Sequence, residues 1–375
     1  MKRKGCVSAV QVLIIFCTLL ILSTPAFAGP RETARKLFER LTGVPLMLND
    51  PRLPQMEAMV QSGQLRAAAQ IATNDDNFYN ETVRYWAMPM SNKDGTAFAP
   101  LNDFVSMFIG ITRDQTDARE LLTKDFTYVV KGLPAPVPEN NTHYLTADQR
   151  QMNLRQNLER VDGVSQGKRE YAGVLTSRAW AEAHMIMGTN RRALQYSLQV
   201  FLCRPIESYM NFELPDNWVR RDVDRRPGGV YKTYQTRCVG CHAGMDALGG
   251  AYAHFDFAGN RMLYLQPPFV ANKMNQNNRT YPPGNVVLDN SWENLWVNSP
   301  IKAGRGLQEF GQMLTQAEEF STCMARTAYA NVCRKNATDV DPKVAETIAM
   351  AFVNNGYKIK TLFEEAAIRT ECLGE

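Results

Sequence analysis

The stretch Arg237-Cys238-Val239-Gly240-Cys241-His242 decides how this chain is read. It has the form C-x-x-C-H, the attachment signature of c-type haem. Each position has a chemical reason. Two thiols add across the two vinyl groups of one porphyrin and form thioethers. Cys238 and Cys241 are three residues apart, so on a helical turn they share a face. His242 follows at once, and its imidazole reaches iron from the same side. Two other chemistries use C-x-x-C. A zinc site wants a second ligand pair, and Cys323 and Cys333 are too widely spaced to form one. A thioredoxin-like disulfide wants a strand before it and β-rich surroundings. The flank Tyr231-Lys232-Thr233-Tyr234-Gln235-Thr236 and the Gly-rich stretch after His242 do not read that way. The expected cofactor is one covalent haem c, with His242 as an iron ligand.

The N-terminus supports this expectation. Met1-Lys2-Arg3-Lys4 precedes an apolar run from Val10 to Leu22 and then Ala26-Phe27-Ala28. These are the basic region, apolar region and small-residue cleavage site of a secretory signal. The run is short for a membrane span, which needs about 20 residues. Residues 1–28 are therefore expected to be a cleaved signal peptide, with an uncleaved anchor as the alternative. A bacterial c-type haem is attached outside the cytoplasmic membrane. The expected location is the periplasm or exterior of a Gram-negative bacterium, with peripheral or no membrane association.

Of 8 cysteines, Cys6 and Cys17 fall within that signal. If haem takes Cys238 and Cys241, then Cys203, Cys323, Cys333 and Cys372 remain, an even number suited to disulfides in an oxidising compartment. The spacing suggests Cys323 with Cys333, and Cys203 with Cys372. The alternative for Cys203, inside an apolar helical stretch, is a buried free thiol. The formal net charge of +4 falls to +1 without Lys2, Arg3 and Lys4. A near-neutral chain offers no electrostatic footprint for nucleic acid. A redox partner protein is the partner expected instead.

Outward from the motif, helical periodicity dominates. Ala34, Leu37, Phe38 and Leu41 make an i, i+3, i+4, i+7 stripe that ends at Gly43 and Pro45. A second helix is expected after Pro51 and Pro54, running through Met59, Leu65 and Ile71. Phe104, Met107, Phe108 and Ile111 mark another, residues 146–160 a polar one, and Leu194, Leu198, Phe201 and Leu202 one that stops before Pro205. Residues 305–370 again keep helical period. The fold expected is mainly α, with helices around a cytochrome-c-like haem module. By sequence, 29–205 is an N-terminal helical region, 206–300 the haem module and 301–375 a C-terminal helical region. There is no phosphate-binding glycine loop, no G-x-S-x-G elbow and no H-E-x-x-H.

Arg220, Arg221, Arg225 and Arg226 lie just upstream of the motif. They are candidates to neutralise haem propionates, or else a solvated loop paired with Asp222 and Asp224. Gly244, Gly249 and Gly250 would let backbone pass close to a flat macrocycle. Candidates for a sixth iron ligand are Met245, His254, Met262, Met274 and Met313. Met245 is too near in sequence, since three residues span about 10 Å at most. Met274, in the loop Asn272-Lys273-Met274-Asn275, is favoured for the far face of the porphyrin.

Several stretches together resemble the secreted cytochrome-c-like proteins of planctomycetes and some other Gram-negative bacteria, whose modules have no assigned function. Leu121-Leu122-Thr123-Lys124-Asp125-Phe126-Thr127-Tyr128-Val129 is similar to the first family motif. Gly173-Val174-Leu175-Thr176-Ser177-Arg178, with Phe201-Leu202-Cys203-Arg204-Pro205, resembles the second. The C-x-x-C-H, then Asp246-Ala247-Leu248-Gly249 and Phe255-Asp256, resembles the haem-bearing module. Asn354-Asn355-Gly356-Tyr357 to Leu362-Phe363 is similar to the closing one. Ala247 stands where the family usually has proline. The resemblance implies a haem on Cys238, Cys241 and His242, no agreed distal ligand and no established catalytic activity.

Three functions follow as hypotheses: a periplasmic electron-transfer protein, a peroxidase-like haem enzyme with an open distal site, or a binding protein in which C-x-x-C is a structural disulfide.

Overall fold

A computed structural model describes residues 29–165, 170–186, 191–219, 226–267, 285–286 and 289–374. The protein is mainly helical, with a few two-stranded sheets among the described residues. Helix α1 (Pro30–Thr42) starts with proline in its first turn and buries the predicted stripe of Ala34, Leu37, Phe38 and Leu41. The single helix expected after Pro51 is two, α2 (Arg52–Gln61) and α3 (Leu65–Thr73). Gly63 breaks them apart at φ +75°, a left-handed conformation that glycine adopts without steric cost, and the Gln64 N–H donates back to the Met59 carbonyl at 2.8 Å.

Helix α4 (Asp103–Asp114) is capped by Asn102, whose side chain accepts from the Val105 N–H at 3.0 Å. Phe104, Val105, Met107, Phe108, Ile109 and Ile111 are all buried, so this helix is apolar nearly all round and runs through the core. Strand β1 (Phe126–Val130) pairs antiparallel with β2 (Leu158–Asp162), placing Phe126 opposite Asp162 and Val130 opposite Leu158. The polar helix expected over 146–160 is therefore cut short. Its helical parts are Thr142–Gln149 and a single turn, Leu154–Asn157, and from Leu158 pairing with β1 overrides the local preference.

Helix α5 (Arg178–His184) and helix α6 (Arg191–Leu202) precede the C-x-x-C-H motif, which lies across α7 (Tyr231–Arg237) and α8 (Val239–Leu248). The chain continues through a 3₁₀ turn, Gly249–Tyr252, into the hairpin β3 (Phe255–Ala258) and β4 (Arg261–Tyr264). Its two-residue Gly259-Asn260 turn has both φ at +59°, as tight hairpins require. Strands β5 (Ser291–Glu293) and β6 (Ala303–Arg305) form a further antiparallel pair.

The C-terminal stretch is helical, as its periodicity predicts: α9 (Gly306–Thr315), α10 (Glu318–Cys333), α11 (Pro342–Asn354), α12 (Ile359–Ala367) and α13 (Thr370–Leu373). One large core takes side chains from Ala34 to Leu373. Phe363 of α12 meets Phe78 edge-on at 5.3 Å and Trp86 at 5.2 Å. Thr73 of α3 donates to Glu364 at 2.8 Å.

Two disulfides clamp this half. Cys203 pairs with Cys323 and Cys333 with Cys372, at Cα separations of 5.3 and 4.8 Å. This corrects the pairing expected from spacing. Cys323 and Cys333 sit on the same helix, ten residues and about 15 Å apart along its axis, far beyond disulfide reach. Cys203 is neither a partner of Cys372 nor a free thiol.

Among the described residues no helix is long and apolar enough to cross a membrane. The signal segment 1–28 lies outside the described residues.

Candidate functional site

The motif sits at a joint between two helices. The Cys238 N–H donates to Tyr234 of α7 at 2.9 Å, and the Cys238 carbonyl accepts from Cys241 N–H at 3.2 Å and from His242 N–H at 3.0 Å. Cys238 is thus the last group of one helix and the first of the next. The three chemically active side chains fall at i, i+3 and i+4, one face of a single turn.

Cys238 and Cys241 are free thiols, both half-buried, while the other four described cysteines are paired. Burial pushes the Cys241 thiol up, and the Glu207 carboxylate and the Cys238 sulfur push in the same direction. At neutral pH it is an S–H group rather than a nucleophilic thiolate.

The His242 side chain is 16% exposed, and its Nδ1 faces Asp246 Oδ1 at 3.5 Å, one turn further along α8. This contact engages Nδ1 and leaves Nε2 as the nitrogen that could ligate a metal. Asp246 is only 1% exposed, and Arg191 Nε at the start of α6 lies 4.0 Å from the same oxygen.

The helix bearing the motif is held from behind. Tyr234, Val239 and Ala243 form a small core of their own, flanked by Leu214, Tyr231 and Cys238. Tyr234 donates to Asp216 at 3.2 Å, and its ring stacks on Tyr231 at 6.1 Å. Asn211 N–H donates to the Gly240 carbonyl at 2.9 Å. At Gly244 the indole of Trp296 lies so close that an added Cβ would come within 2.1 Å of it. Trp296 in turn stacks on Tyr209 at 5.4 Å with the rings 14° from parallel.

Of the 4 histidines in the chain, the other three are engaged elsewhere. His143 Nε2 accepts from the Val130 N–H at 2.8 Å, and its Nδ1 donates to the Pro134 carbonyl at 2.7 Å. His184 is buried against Trp180 and Tyr196. Burial, with Arg192 beside it, holds its pKa down to about 3. His254 is 2% exposed and its Nδ1 is 2.7 Å from Glu170, which also accepts from Asn290 at 2.7 Å.

The sixth-ligand candidates fare differently. Met274 lies outside the described residues, as do Arg220, Arg221 and Arg225; Arg226 is exposed. Met245 and Met313 are buried in the large core, and Met262 pairs with Phe257 across the hairpin. His254 stands beyond the far end of the helical run from His242 to Tyr252, roughly 15 Å along its axis. Among the described candidates, none makes a hydrogen bond or ring contact with His242.

The donor set fits an iron porphyrin. Two free thiols at thioether spacing share a face with one imidazole whose Nδ1 is anchored, and a porphyrin brings its own four nitrogens. A zinc ion would need more ligands from the chain. Among the described residues no group of three or more His, Cys, Asp and Glu side chains is arranged to hold a metal.

Asp246 is the contributor that motif reading passed over, although its i+4 distance from His242 is visible in the sequence. Trp296 carries no comparable signal, because its contact with Gly244 is made by the fold. No protein-family model, curated protein or solved structure matches this chain.

Proposed function

We propose that the chain is an exported c-type cytochrome that carries one covalent haem and passes single electrons to a redox partner protein in the periplasm. The observation that carries this reading is the state of the cysteines: the two in C-x-x-C stay as free thiols on one helical turn beside His242, while the other four described cysteines form disulfides. The S–H groups of Cys238 and Cys241 would each add across a vinyl double bond, with no leaving group. His242 would ligate iron through Nε2, and Met274 is the proposed ligand on the other face. When bound, the haem supplies a one-electron couple whose potential the protein sets through ligands and burial. The chain's own part is to hold the imidazole, shield it and present a thiol pair. The resemblance to the secreted planctomycete-type cytochromes points the same way.

The test is a pyridine haemochrome spectrum of protein made in a host with a cytochrome c maturation system. The expected result is one haem per chain that resists acid-acetone extraction, with low-spin iron indifferent to carbon monoxide and peroxide. Iron that binds carbon monoxide and consumes peroxide would favour the peroxidase-like reading. A colourless protein would remove both.

A further inference from the structure

We propose that Asp246 is a positioning residue for the iron ligand, a buried carboxylate behind His242 that biases the iron toward its ferric state and makes this a low-potential, electron-donating carrier. The proposal rests on the cytochrome reading of Cys238, Cys241 and His242. Three observations support it independently of the motif.

The first is burial. Asp246 is 1% exposed, and a carboxylate taken out of water is costly unless it is paired. Its charged and ionisable neighbours include His242 Nδ1 at 3.5 Å and Arg191 Nε at 4.0 Å. The second is position. Asp246 follows His242 by four residues, so the two side chains share one face of α8. The third is direction. The carboxylate lies one turn further along α8 and faces the Nδ1 of the imidazole. An Nδ1–H that donates to a carboxylate gives the imidazole more electron density than one that donates to a neutral carbonyl, and a richer ligand stabilises the higher charge on iron.

Arg191 supplies an internal control. Its guanidinium, 4.0 Å from the same Asp246 oxygen, partly offsets that charge. Removing the anion and removing the cation should therefore move the iron in opposite senses, which a merely structural role would not do.

The experiment uses haem-loaded full-length protein from a c-maturing host, titrated spectroelectrochemically. Asp246→Asn should raise the ratio of ferrous to ferric iron at a fixed ambient potential by about tenfold or more, the scale of second-layer ligand effects. Asp246→Glu should restore part of the shift, and Arg191→Gln should move the ratio the other way. Haem-loaded Asp246→Asn with an unchanged ratio overturns the proposal. Should Asp246→Asn fail to load haem, Arg191→Gln decides: a shift toward ferric iron supports the proposal, and no shift overturns it. Wild-type protein without covalent haem defeats the cytochrome reading itself, which the haem content of the same preparation reports separately.

Discussion

At the residue scale, the chemistry is concentrated on one turn of helix. The placement of Cys238, Cys241 and His242 on one face of a turn was legible because it depends on spacing, and spacing is what a sequence records. Their supports were not, because Trp296 reaches Gly244 only through the fold. That contact yields a prediction. Replacing a mid-helix glycine with alanine gains about 1 kcal/mol of helix propensity. At Gly244 the new Cβ would come within 2.1 Å of an indole pinned by its stack on Tyr209, and such overpacking costs about 1–3 kcal/mol. The steric cost wins, so Gly244→Ala should lower Tm by several degrees in thermal unfolding, where an ordinary helix-surface glycine would show a rise.

His184 yields a second prediction at this scale. Its pKa is held down to about 3, from 6.5 in the unfolded chain, by burial and then by Arg192. Between those values the unfolded chain takes up a proton and the folded one does not. Its effect therefore leaves stability intact above pH 6.5 and erodes it as pH falls toward 3, by up to about 1.4 kcal/mol per pH unit. Urea unfolding at pH 7 and pH 5 should show this loss, and His184→Phe should remove about one proton's worth of the slope. An equal slope in the variant would mean that His184 is not the group responsible.

At the element scale, the helices were legible where one face is apolar and the other is not. Leu37, Phe38 and Leu41 in α1, and Leu362 and Phe363 in α12, lie where their period puts them. Two errors have physical causes. Met59, Leu65 and Ile71 kept enough apolar rhythm to read as one helix, yet Gly63 turns the chain at positive φ. Residues 158–160 read as the end of a polar helix over 146–160, but Leu158–Asp162 pairs with β1. The disulfide pairing failed for a related reason: nearness in sequence is a poor guide once both residues are on one rigid helix. As built, α10 is tied near its first turns to the end of α6 and at its last residue to α13. Peptide mapping under non-reducing conditions should recover Cys203–Cys323 and Cys333–Cys372 and no Cys323–Cys333 peptide. Cys372→Ser should cost roughly 2–4 kcal/mol by freeing a long loop in the unfolded chain, seen as a lower denaturant midpoint.

At the scale of the whole molecule, the N-terminal and C-terminal helices share one core, while the small cluster of Tyr234, Val239 and Ala243 backs the motif. The division suits a protein whose bulk gives rigidity and whose prosthetic group is set on one helix. The disulfides accord with an oxidising compartment, where thiols left unpaired need a reason; among the described residues the two unpaired ones are those of C-x-x-C-H. The most direct test of the central claim is the intact mass of the denatured, exported protein from a c-maturing host, beside its Cys238→Ser/Cys241→Ser double variant. The account predicts that the wild-type chain is heavier than its processed polypeptide by one haem and that the variant matches the bare polypeptide. A wild-type mass equal to the bare processed chain would contradict it.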